Sequence, residues 1–299
     1  MDTLINVLIT GANGQLGQEI QRNANILPEE QYRLFFADSQ MVNITDFKSV
    51  NEFVKKNEIK YIINCAAYTA VDKAEDEDQI ELCYGVNFEG IQNIGDAAKA
   101  NNAKVIHVST DYVFDGTKAE PYTESDSINP QSVYGKSKAK GESALFDASG
   151  LENSIVIRTS WLYSIYGNNF VKTMLRLGAE RDSLNVVADQ KGTPTNAKDL
   201  AIAILSIVKY AEEKEFKAGI YHYSNEGETT WYNFTLAIHK AANISCQVSP
   251  INTDQYPTKA KRPQYSVLDK TKIKSAFDLP IPQWEDSLNL CIAELKQMQ

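Results

Sequence analysis

Residues 4–20 read LINVLITGANGQLGQEI, and this stretch decides the fold. Residues 4–10, LINVLIT, form a nearly continuous apolar run rich in branched side chains, which is typical of a strand buried on both faces of a parallel sheet. GANGQLG follows directly, with glycines at positions 11, 14 and 17, and QEIQRNANIL then reads as a helix. A strand, a glycine-rich turn and a helix in this order predict a site for a dinucleotide.

The turn suits a pyrophosphate for two physical reasons. Glycine permits a tight turn and a close approach of the backbone to the ligand, and the start of a helix offers free N–H donors and a positive dipole end. Asp38 ends the next apolar segment, 21 residues after Gly17, where an acidic side chain usually meets the adenosine ribose. The alternative is a strand-to-helix turn that binds nothing.

Strand-like and helix-like segments alternate along the first half of the chain. The predicted strands after the first are YRLFFAD, KYIINCAAY, KVIHVST and SIVIRTSWLY. Helical patterns at 45–57 and 75–100 separate them, which predicts an α/β fold with a doubly wound, Rossmann-type parallel sheet over residues 1–160. Residues 161–299 are predicted to form a smaller, mixed α/β substrate-binding cap, with some segments returning to the first domain.

A tyrosine precedes a lysine by four residues in two places, YGKSK beginning at Tyr134 and YAEEK beginning at Tyr210. The first pair follows the strand-exit segment STDYVFDG (109–116), so Tyr134 and Lys138 share one helix face near the sheet edge where ligands bind. A nearby ammonium stabilises a tyrosinate, and Thr110 can donate a hydrogen bond to a reacting oxygen. We therefore interpret YGKSK as the functional pair and YAEEK as a solvated helix end.

The composition limits the class of protein. The 299 residues are 43% hydrophobic and 23% charged, as in ordinary globular proteins. No apolar run approaches the roughly 18 residues that span a bilayer, and the net charge of −9 argues against nucleic acid as a general partner. Four scattered cysteines and three histidines have no metal-type spacing, which predicts a reduced cytoplasmic enzyme without structural metal or disulfide bonds.

Eight segments of the chain resemble one family of the extended short-chain dehydrogenase/reductase superfamily. They are GANGQLG, CAAYTAVDKAE, STDYVFDG, YGKSKAKGE, RTSWLY, GNNFVKTML, ADQKGTPT and KRPQYSVLD. In this order, from the first strand to about Asp269, they resemble the dTDP-4-dehydrorhamnose reductase family. Members of that family reduce the C4 ketone of dTDP-4-dehydro-L-rhamnose to dTDP-L-rhamnose with a reduced nicotinamide cofactor, a step of dTDP-rhamnose biosynthesis.

The resemblance implies a role for each site residue. Tyr134 would be the catalytic proton donor, and Lys138 would hold the nicotinamide ribose and lower the pKa of Tyr134. Residues expected at the substrate are Thr110, Asp111, Trp161, Asn169 and Arg262, the last two at its diphosphate. Residues expected at the cofactor are Gly11, Gly14, Gln15, Leu16, Gly17, Asp38, Asn43, Ile44, Ala67, Tyr68, Thr69, Tyr134 and Lys138. Core packing for Trp161 and a turn-forming role for Asp111 are the alternatives.

Asn87 is a further candidate, because asparagine is disfavoured in the middle of a helix. It resembles the asparagine with which the superfamily positions the catalytic lysine through water. An exposed asparagine without a role would fit the sequence nearly as well.

The sequence leaves the cofactor, the metal and the oligomer open. Asp38 favours NADH, because a 2′-phosphate would meet its carboxylate, whereas the family is described mainly with NADPH, so both cofactors stand as candidates. Some family members form a homodimer through magnesium held by glutamates. Glu19 and Glu294 match two of those positions, but Lys198 occupies the third, and a cation there disfavours Mg²⁺. We therefore predict no metal and leave a homodimer open.

Other functions compete with this reductase of a small-molecule substrate. A reductase of another 4-keto-6-deoxy nucleotide sugar would share these motifs. A dehydratase is expected to carry an acid pair after Thr110, where Asp111 and Tyr112 stand instead. A cofactor-binding regulatory subunit, similar to that of methionine adenosyltransferase, would not need Tyr134 and Lys138, and both are present. The leading hypothesis is the reduction of dTDP-4-dehydro-L-rhamnose.

Overall fold

A computed structural model of the protein describes residues 4–298, which form ten α-helices and twelve β-strands. The strands are β1 (Ile5–Thr10), β2 (Tyr32–Ala37), β3 (Ile59–Asn64), β4 (Lys104–Thr110), β5 (Ser154–Thr159), β6 (Leu162–Tyr163), β7 (Ser183–Val187), β8 (Lys191–Gly192), β9 (Thr195–Asn196), β10 (Gly219–His222), β11 (Thr229–Thr230) and β12 (Gln247–Ile251). The helices are α1 (Gln15–Arg22), α2 (Phe47–Lys56), α3 (Glu77–Tyr84), α4 (Gly90–Ala100), α5 (Val133–Ser149), α6 (Phe170–Glu180), α7 (Ala197–Glu213), α8 (Trp231–Ala242), α9 (Thr271–Phe277) and α10 (Trp284–Gln297).

Six parallel strands form the central sheet in the order β10-β5-β4-β3-β1-β2. The order reverses between β1 and β3, which creates the crevice at the carboxyl ends of the strands where ligands bind in such sheets. The predicted doubly wound, Rossmann-type parallel sheet is confirmed.

Apolar side chains alternate between the two faces of this sheet. Val7 and Ile9 of β1 join a core with α1 and α7 on one face, while Leu8 between them joins a core with α2, α4 and α5 on the other. Because both faces are covered by helices, consecutive residues of β1 from Val7 to Ile9 are apolar, which explains the run seen in the sequence.

A third apolar core lies in the second half of the chain, where α6, α8 and α10 pack around residues such as Phe234. Short strands pair around it as β7 with β12, β8 with β11 and β6 with β9. The segments of this half that return to the sheet are α7, β10 and α9. The domain boundary at residue 160 stays a prediction. Of the helices within residues 4–298, none has the length and apolar character that crossing a bilayer requires.

The helical stretch predicted at 75–100 contains a π-helical segment, Gly85–Glu89, between α3 and α4. Such segments occur frequently at functional sites. Helix α5 packs directly against this segment at Gly141, where a Cβ atom would overlap the backbone carbonyl oxygen of Asn87. Since α5 carries the Tyr134–Lys138 pair, the missing side chain at Gly141 sets how close that pair comes to the sheet.

Gly141→Ala should therefore destabilise the protein by about 2 kcal/mol, because the added methyl group pushes α5 away from the π-helical segment. Chemical denaturation would measure the free energy of unfolding. Gly85→Ala is the matched control, since Gly85 has helical angles of φ −55° and ψ −43° and its Cβ would meet nothing within 4 Å. That variant should be neutral or more stable by about 0.5–1 kcal/mol. Equal losses in both variants would contradict the packing argument.

Candidate active site

The glycine-rich turn lets a ligand come close to the protein backbone at the crevice. Gly11 has φ +65°, and a Cβ there would lie 2.6 Å from the backbone nitrogen of Ala66, which follows β3. Gly14 is the N-cap residue of α1, and no side chain caps the helix start. At Gly17 a Cβ would overlap the carbonyl oxygen of Gly11. A tight glycine turn followed by a helix start that no side chain caps fits a diphosphate.

Asp38 directly follows β2, and its side chain stabilises the next turn of the chain. Its Oδ1 accepts hydrogen bonds from the backbone N–H groups of Gln40 and Met41, both at 3.0 Å, and its Oδ2 lies 3.4 Å from Asn13 Nδ2 of the glycine turn. Asn43 is exposed and Ile44 is buried a few residues further on. The carboxylate thus stands at the crevice beside the first turn, as expected for a residue that meets the adenosine ribose.

Tyr134 lies in the first turn of α5, which Ser132 caps by accepting a hydrogen bond from the N–H of Gly135 at 3.0 Å. Its buried ring meets that of Tyr112 edge to face, with 5.6 Å between the centroids. Burial raises the pKa of Tyr134, and a hydrogen bond with Thr110 acts in the opposite direction. The phenol is therefore protonated at neutral pH and lies near the strand-exit threonine, as a proton donor requires.

Lys138, one turn further along α5, is buried and points at β4. Its Nζ donates a hydrogen bond to the carbonyl oxygen of Val108 at 2.7 Å. Burial lowers the pKa of Lys138 to about 8, while the charge of Glu142 acts against this shift. Lys138 was predicted to lower the pKa of Tyr134, but in this arrangement its head group is directed at the strand, and burial governs the pKa of the tyrosine.

A buried chain of polar side chains runs from the glycine turn to Lys138. Thr10 Oγ1 donates to Asn64 Oδ1 at 2.6 Å, Asn64 Nδ2 lies 2.9 Å from His107 Nδ1, and His107 Nε2 lies 3.4 Å from Lys138 Nζ. Burial, followed by the charge of Lys138, lowers the pKa of His107 well below its ordinary value, so the ring is neutral. This chain was not predicted from the sequence, where its signal is a polar residue at the end of β1 and of β3 and another in the middle of β4.

Asp111 follows β4 and is 2% exposed. Its Oδ1 accepts a hydrogen bond from Thr110 Oγ1 at 3.0 Å. Burial raises the pKa of Asp111 to about 6, and the nearby Ser266 hydroxyl opposes this shift. Neither Ser266 Oγ nor Asp111 Oδ2 makes a hydrogen bond of normal geometry. A buried carboxyl oxygen without a hydrogen bond of normal geometry is costly, which sets Asp111 apart from a plain turn-forming aspartate.

Asn87 clamps the loop that leaves β3. Its Oδ1 accepts from the N–H of Tyr68 at 2.9 Å, and its Nδ2 donates to the carbonyl oxygen of Tyr68 at 3.0 Å and to Ser137 Oγ of α5 at 3.1 Å. The side chain is fully buried, so the alternative of an exposed asparagine is wrong. The clamp fixes the segment from Ala67 to Thr69 against the helix that carries the tyrosine–lysine pair.

Trp161 begins the connection after β5 and adopts φ +48°, a strained conformation for a bulky residue. Its half-buried indole stacks on that of Trp231, with centroids 3.5 Å apart and planes 10° from parallel. In the strand register Thr159 pairs with Thr110, so the backbone of Trp161 lies two residues past the strand end that adjoins Thr110.

Arg262 and Asn169, both expected at the substrate diphosphate, have different surroundings. The guanidinium of Arg262 binds Asp72 through two hydrogen bonds of 3.0 and 2.6 Å, a pair that the sequence analysis missed. Asn169 caps α6 and donates from Nδ2 to Gln15 Oε1 at 2.9 Å. Asn169 therefore lies against the glycine turn on the cofactor side, and Arg262 lies over the loop that follows β3.

The glutamates considered for a metal are engaged in other contacts. Glu294 binds Lys198 at 2.8 Å and Arg22 at 2.5 Å, and Glu19 Oε1 accepts a hydrogen bond from Ser164 at 2.6 Å. Across residues 4–298, the structure brings no three His, Cys, Asp or Glu side chains together in a way that could hold a metal ion.

Comparisons with known proteins agree with this geometry. The profile of the family described as RmlD substrate binding domain matches residues 5–297. The chain is 43% identical over 293 residues to a dTDP-4-dehydrorhamnose reductase of Aggregatibacter actinomycetemcomitans, which covers 95% of this chain and 97% of that relative.

Two solved structures extend the likeness to three dimensions. A dTDP-4-dehydrorhamnose reductase of Clostridium acetobutylicum is 41% identical with a TM-score of 0.90, covering 98% of this chain and 100% of that one. The enzyme of Bacillus anthracis, solved in complex with NADP, is 38% identical with a TM-score of 0.89 and the same coverage. The resemblance that the eight sequence segments indicated is confirmed: the chain belongs to the RmlD family of dTDP-4-dehydrorhamnose reductases, which are oxidoreductases.

Proposed function

We propose that the protein reduces the C4 ketone of dTDP-4-dehydro-L-rhamnose to dTDP-L-rhamnose, using NADPH or NADH, with Tyr134 as the proton donor. One observation carries the proposal. The Tyr134 phenol, the Thr110 hydroxyl and the partnerless Asp111 Oδ2 lie together at the carboxyl edge of the sheet, to which the glycine turn also belongs. Membership of the RmlD family supplies the substrate class.

The chain offers a matching set of groups for the cofactor. The turn from Gly11 to Gly17 would receive the pyrophosphate, with Gln15 and Leu16 at the helix start, and Asp38 would accept hydrogen bonds from the adenosine ribose. Lys138 would hold the nicotinamide ribose, since its head group lies beside Val108 at the end of β4. When bound, the reduced nicotinamide supplies the hydride for the carbonyl carbon.

Tyr134 completes the reduction by protonating the oxygen on which charge develops. A protonated phenol is needed, and burial keeps Tyr134 in that form. An alkoxide is a far stronger base than a tyrosinate, so the proton transfer is favourable even with a raised phenol pKa. The Thr110 hydroxyl, which donates to Asp111 in this structure, would have to turn toward the substrate to donate there as well, and donors placed where charge develops lower the barrier.

On the substrate side, three groups would contact the nucleotide sugar. Asp111 would accept a hydrogen bond from a sugar hydroxyl once the substrate opens access to its Oδ2, which makes no hydrogen bond of normal geometry in this structure. The Trp161 indole would line the sugar site, and Arg262 would face the diphosphate. The predicted cytoplasmic location and homodimer stay predictions.

The direct test incubates the purified protein with NADPH or NADH and enzymatically prepared dTDP-4-dehydro-L-rhamnose. We expect the cofactor to be oxidised as dTDP-L-rhamnose forms, and the two initial rates rank the cofactors. Tight cofactor binding without oxidation would contradict the proposal and favour another keto-sugar or a regulatory subunit.

Tyr134→Phe should lower turnover by roughly 10²–10⁴-fold, because it removes the proton donor and keeps the ring in place. Cofactor affinity, measured by fluorescence titration, should stay close to that of the wild-type protein. Tyr210→Phe, in the second Tyr-x-x-x-Lys sequence at the end of α7, is the matched control and should retain full turnover. A fully active Tyr134→Phe variant would remove Tyr134 from the mechanism.

Asp38→Asn should raise the ratio of NADPH to NADH activity by roughly fivefold or more, since it removes a charge that opposes the 2′-phosphate. The amide keeps an acceptor for the N–H groups of Gln40 and Met41, so the turn itself is preserved. Values of kcat/KM for both cofactors give the ratio. If it does not change, Asp38 does not govern the choice of cofactor.

Asp111→Asn should lower the turnover of the enzyme and raise its free energy of unfolding at neutral pH. The folded carboxyl has a pKa of about 6, above its unfolded value near ~3.9, so wild-type stability falls as pH rises from ~4 to 6. The amide cannot ionise, and its advantage should therefore grow with pH to about 2–3 kcal/mol above pH ~7. Denaturation at a series of pH values measures this difference.

Asp115→Asn is the control with the opposite sign. Hydrogen bonds led by Thr117 lower the pKa of Asp115 to about 2, so its ionised form is favoured by folding. That variant should lose stability at neutral pH. A stability gain in Asp111→Asn that is independent of pH would contradict the ionisation argument.

A further inference from the structure

We propose that Trp231 is a positioning residue for the substrate: by stacking on Trp161, it holds that indole at the sheet edge beside Thr110, where the sugar would lie. This inference rests on the proposed function and deepens it. The relevant observation is the near-parallel stack, in which the centroids are 3.5 Å apart and the planes differ by 10°.

Trp161 needs an external support for two reasons. Its φ of +48° is a conformation that a bulky side chain adopts only when the surroundings enforce it. Its indole is half-buried, so burial alone does not fix its orientation. The ring also lies against Gly192, where a Cβ would come within 2.5 Å of its Cε2 atom. Only a residue without a Cβ atom leaves room for the indole in this position.

Trp231 is itself held from several directions. Its Nε1 donates a hydrogen bond to Gln190 Oε1 at 3.2 Å, and its ring lies 4.5 Å from that of Phe170, measured between centroids. It is the first residue of α8, which Thr230 caps by accepting a hydrogen bond from the N–H of Asn233 at 3.1 Å. A ring fixed by a helix start, a hydrogen bond and a second aromatic ring is a rigid support for Trp161.

The short strands β8 and β11 connect Trp231, which supports the indole of Trp161, to the reacting centre. Strand β11, which ends directly before Trp231, pairs with β8, which carries Gly192. The backbone N–H of Lys191 donates to the carbonyl oxygen of Gln264 at 2.7 Å, and the backbone N–H of Ser266 donates to the carbonyl oxygen of Lys191 at 2.8 Å. Ser266 in turn lies beside Asp111. The indole pair and the acid at the end of β4 thus belong to one connected backbone framework.

The chain contains three tryptophans, which makes the stack measurable. Two stacked indoles in contact couple their transitions, and they give a bisignate band in far-ultraviolet circular dichroism when their transition moments are rotated relative to each other; near-ultraviolet bands report the contact otherwise. The wild-type protein and Trp284→Phe should both show it, because Trp284 packs against Phe234 in the cap core and is not part of the stack. Trp231→Leu and Trp161→Phe should both lose it.

Binding and kinetics then test the positioning role. Trp231→Leu should weaken dTDP-L-rhamnose binding, measured by calorimetry with saturating NADP, by roughly three- to tenfold, the worth of one aromatic pair. The KM for the keto-sugar should rise in parallel, while the KM for the cofactor stays within about twofold of wild type. Trp231→Phe, which keeps a ring to stack on, should recover much of the affinity.

Each result decides between distinct alternatives. Unchanged sugar affinity in Trp231→Leu overturns the positioning role and leaves the reductase function standing. An equal loss of sugar affinity in Trp284→Phe would also overturn it, because the effect would then be general destabilisation. A wild-type protein that shows the band but binds no dTDP-sugar refutes the proposed function, and the positioning role with it.

Discussion

The buried chain of polar side chains from Thr10 to Lys138 is the constraint on which the rest of the site depends. Buried polar groups are costly unless they find partners, and here Asn64 and His107 find them only when β1, β3 and β4 lie in register and α5 is docked against them. The folding of the sheet and the placement of Lys138 are therefore one requirement. The contacts that hold the glycine turn at one end of this chain of side chains also hold the head group of Lys138 at the other end.

Helix α5 is secured to the sheet one turn further along by a buried ion pair. Glu142, one turn after Lys138, receives hydrogen bonds from Arg158 of β5 at 3.0 and 2.7 Å and from Ser109 at 2.5 Å. Removing one partner of such a pair leaves an uncompensated buried charge, which strongly destabilises a protein. Together with the glycine contact at residue 141, this pair gives the tyrosine–lysine helix a single position, and a donor must be placed accurately to act where charge develops.

Much of the fold and part of the site could be predicted from the sequence, because their signals are local. The apolar strand, the glycine turn and the helix stand side by side in residues 4–20, and the tyrosine and lysine lie one turn apart. The remaining features depend on contacts between distant residues. Arg262 meets Asp72 and Trp231 meets Trp161 only after the chain has folded, and periodicity gives no hint that β10 returns to the sheet. The orientation of Lys138 toward Val108 likewise depends on tertiary packing.

Hydride delivery to the sugar C4 atom, with Tyr134 supplying the proton, is the central claim. The most direct measurement uses NADPH or NADH that carries deuterium at the transferable position of nicotinamide C4, with dTDP-4-dehydro-L-rhamnose as the acceptor. The account predicts that proton NMR of the product finds deuterium at C4 of dTDP-L-rhamnose, in one stereoisomer. Product without deuterium at C4, or cofactor consumed without a labelled sugar, would contradict it.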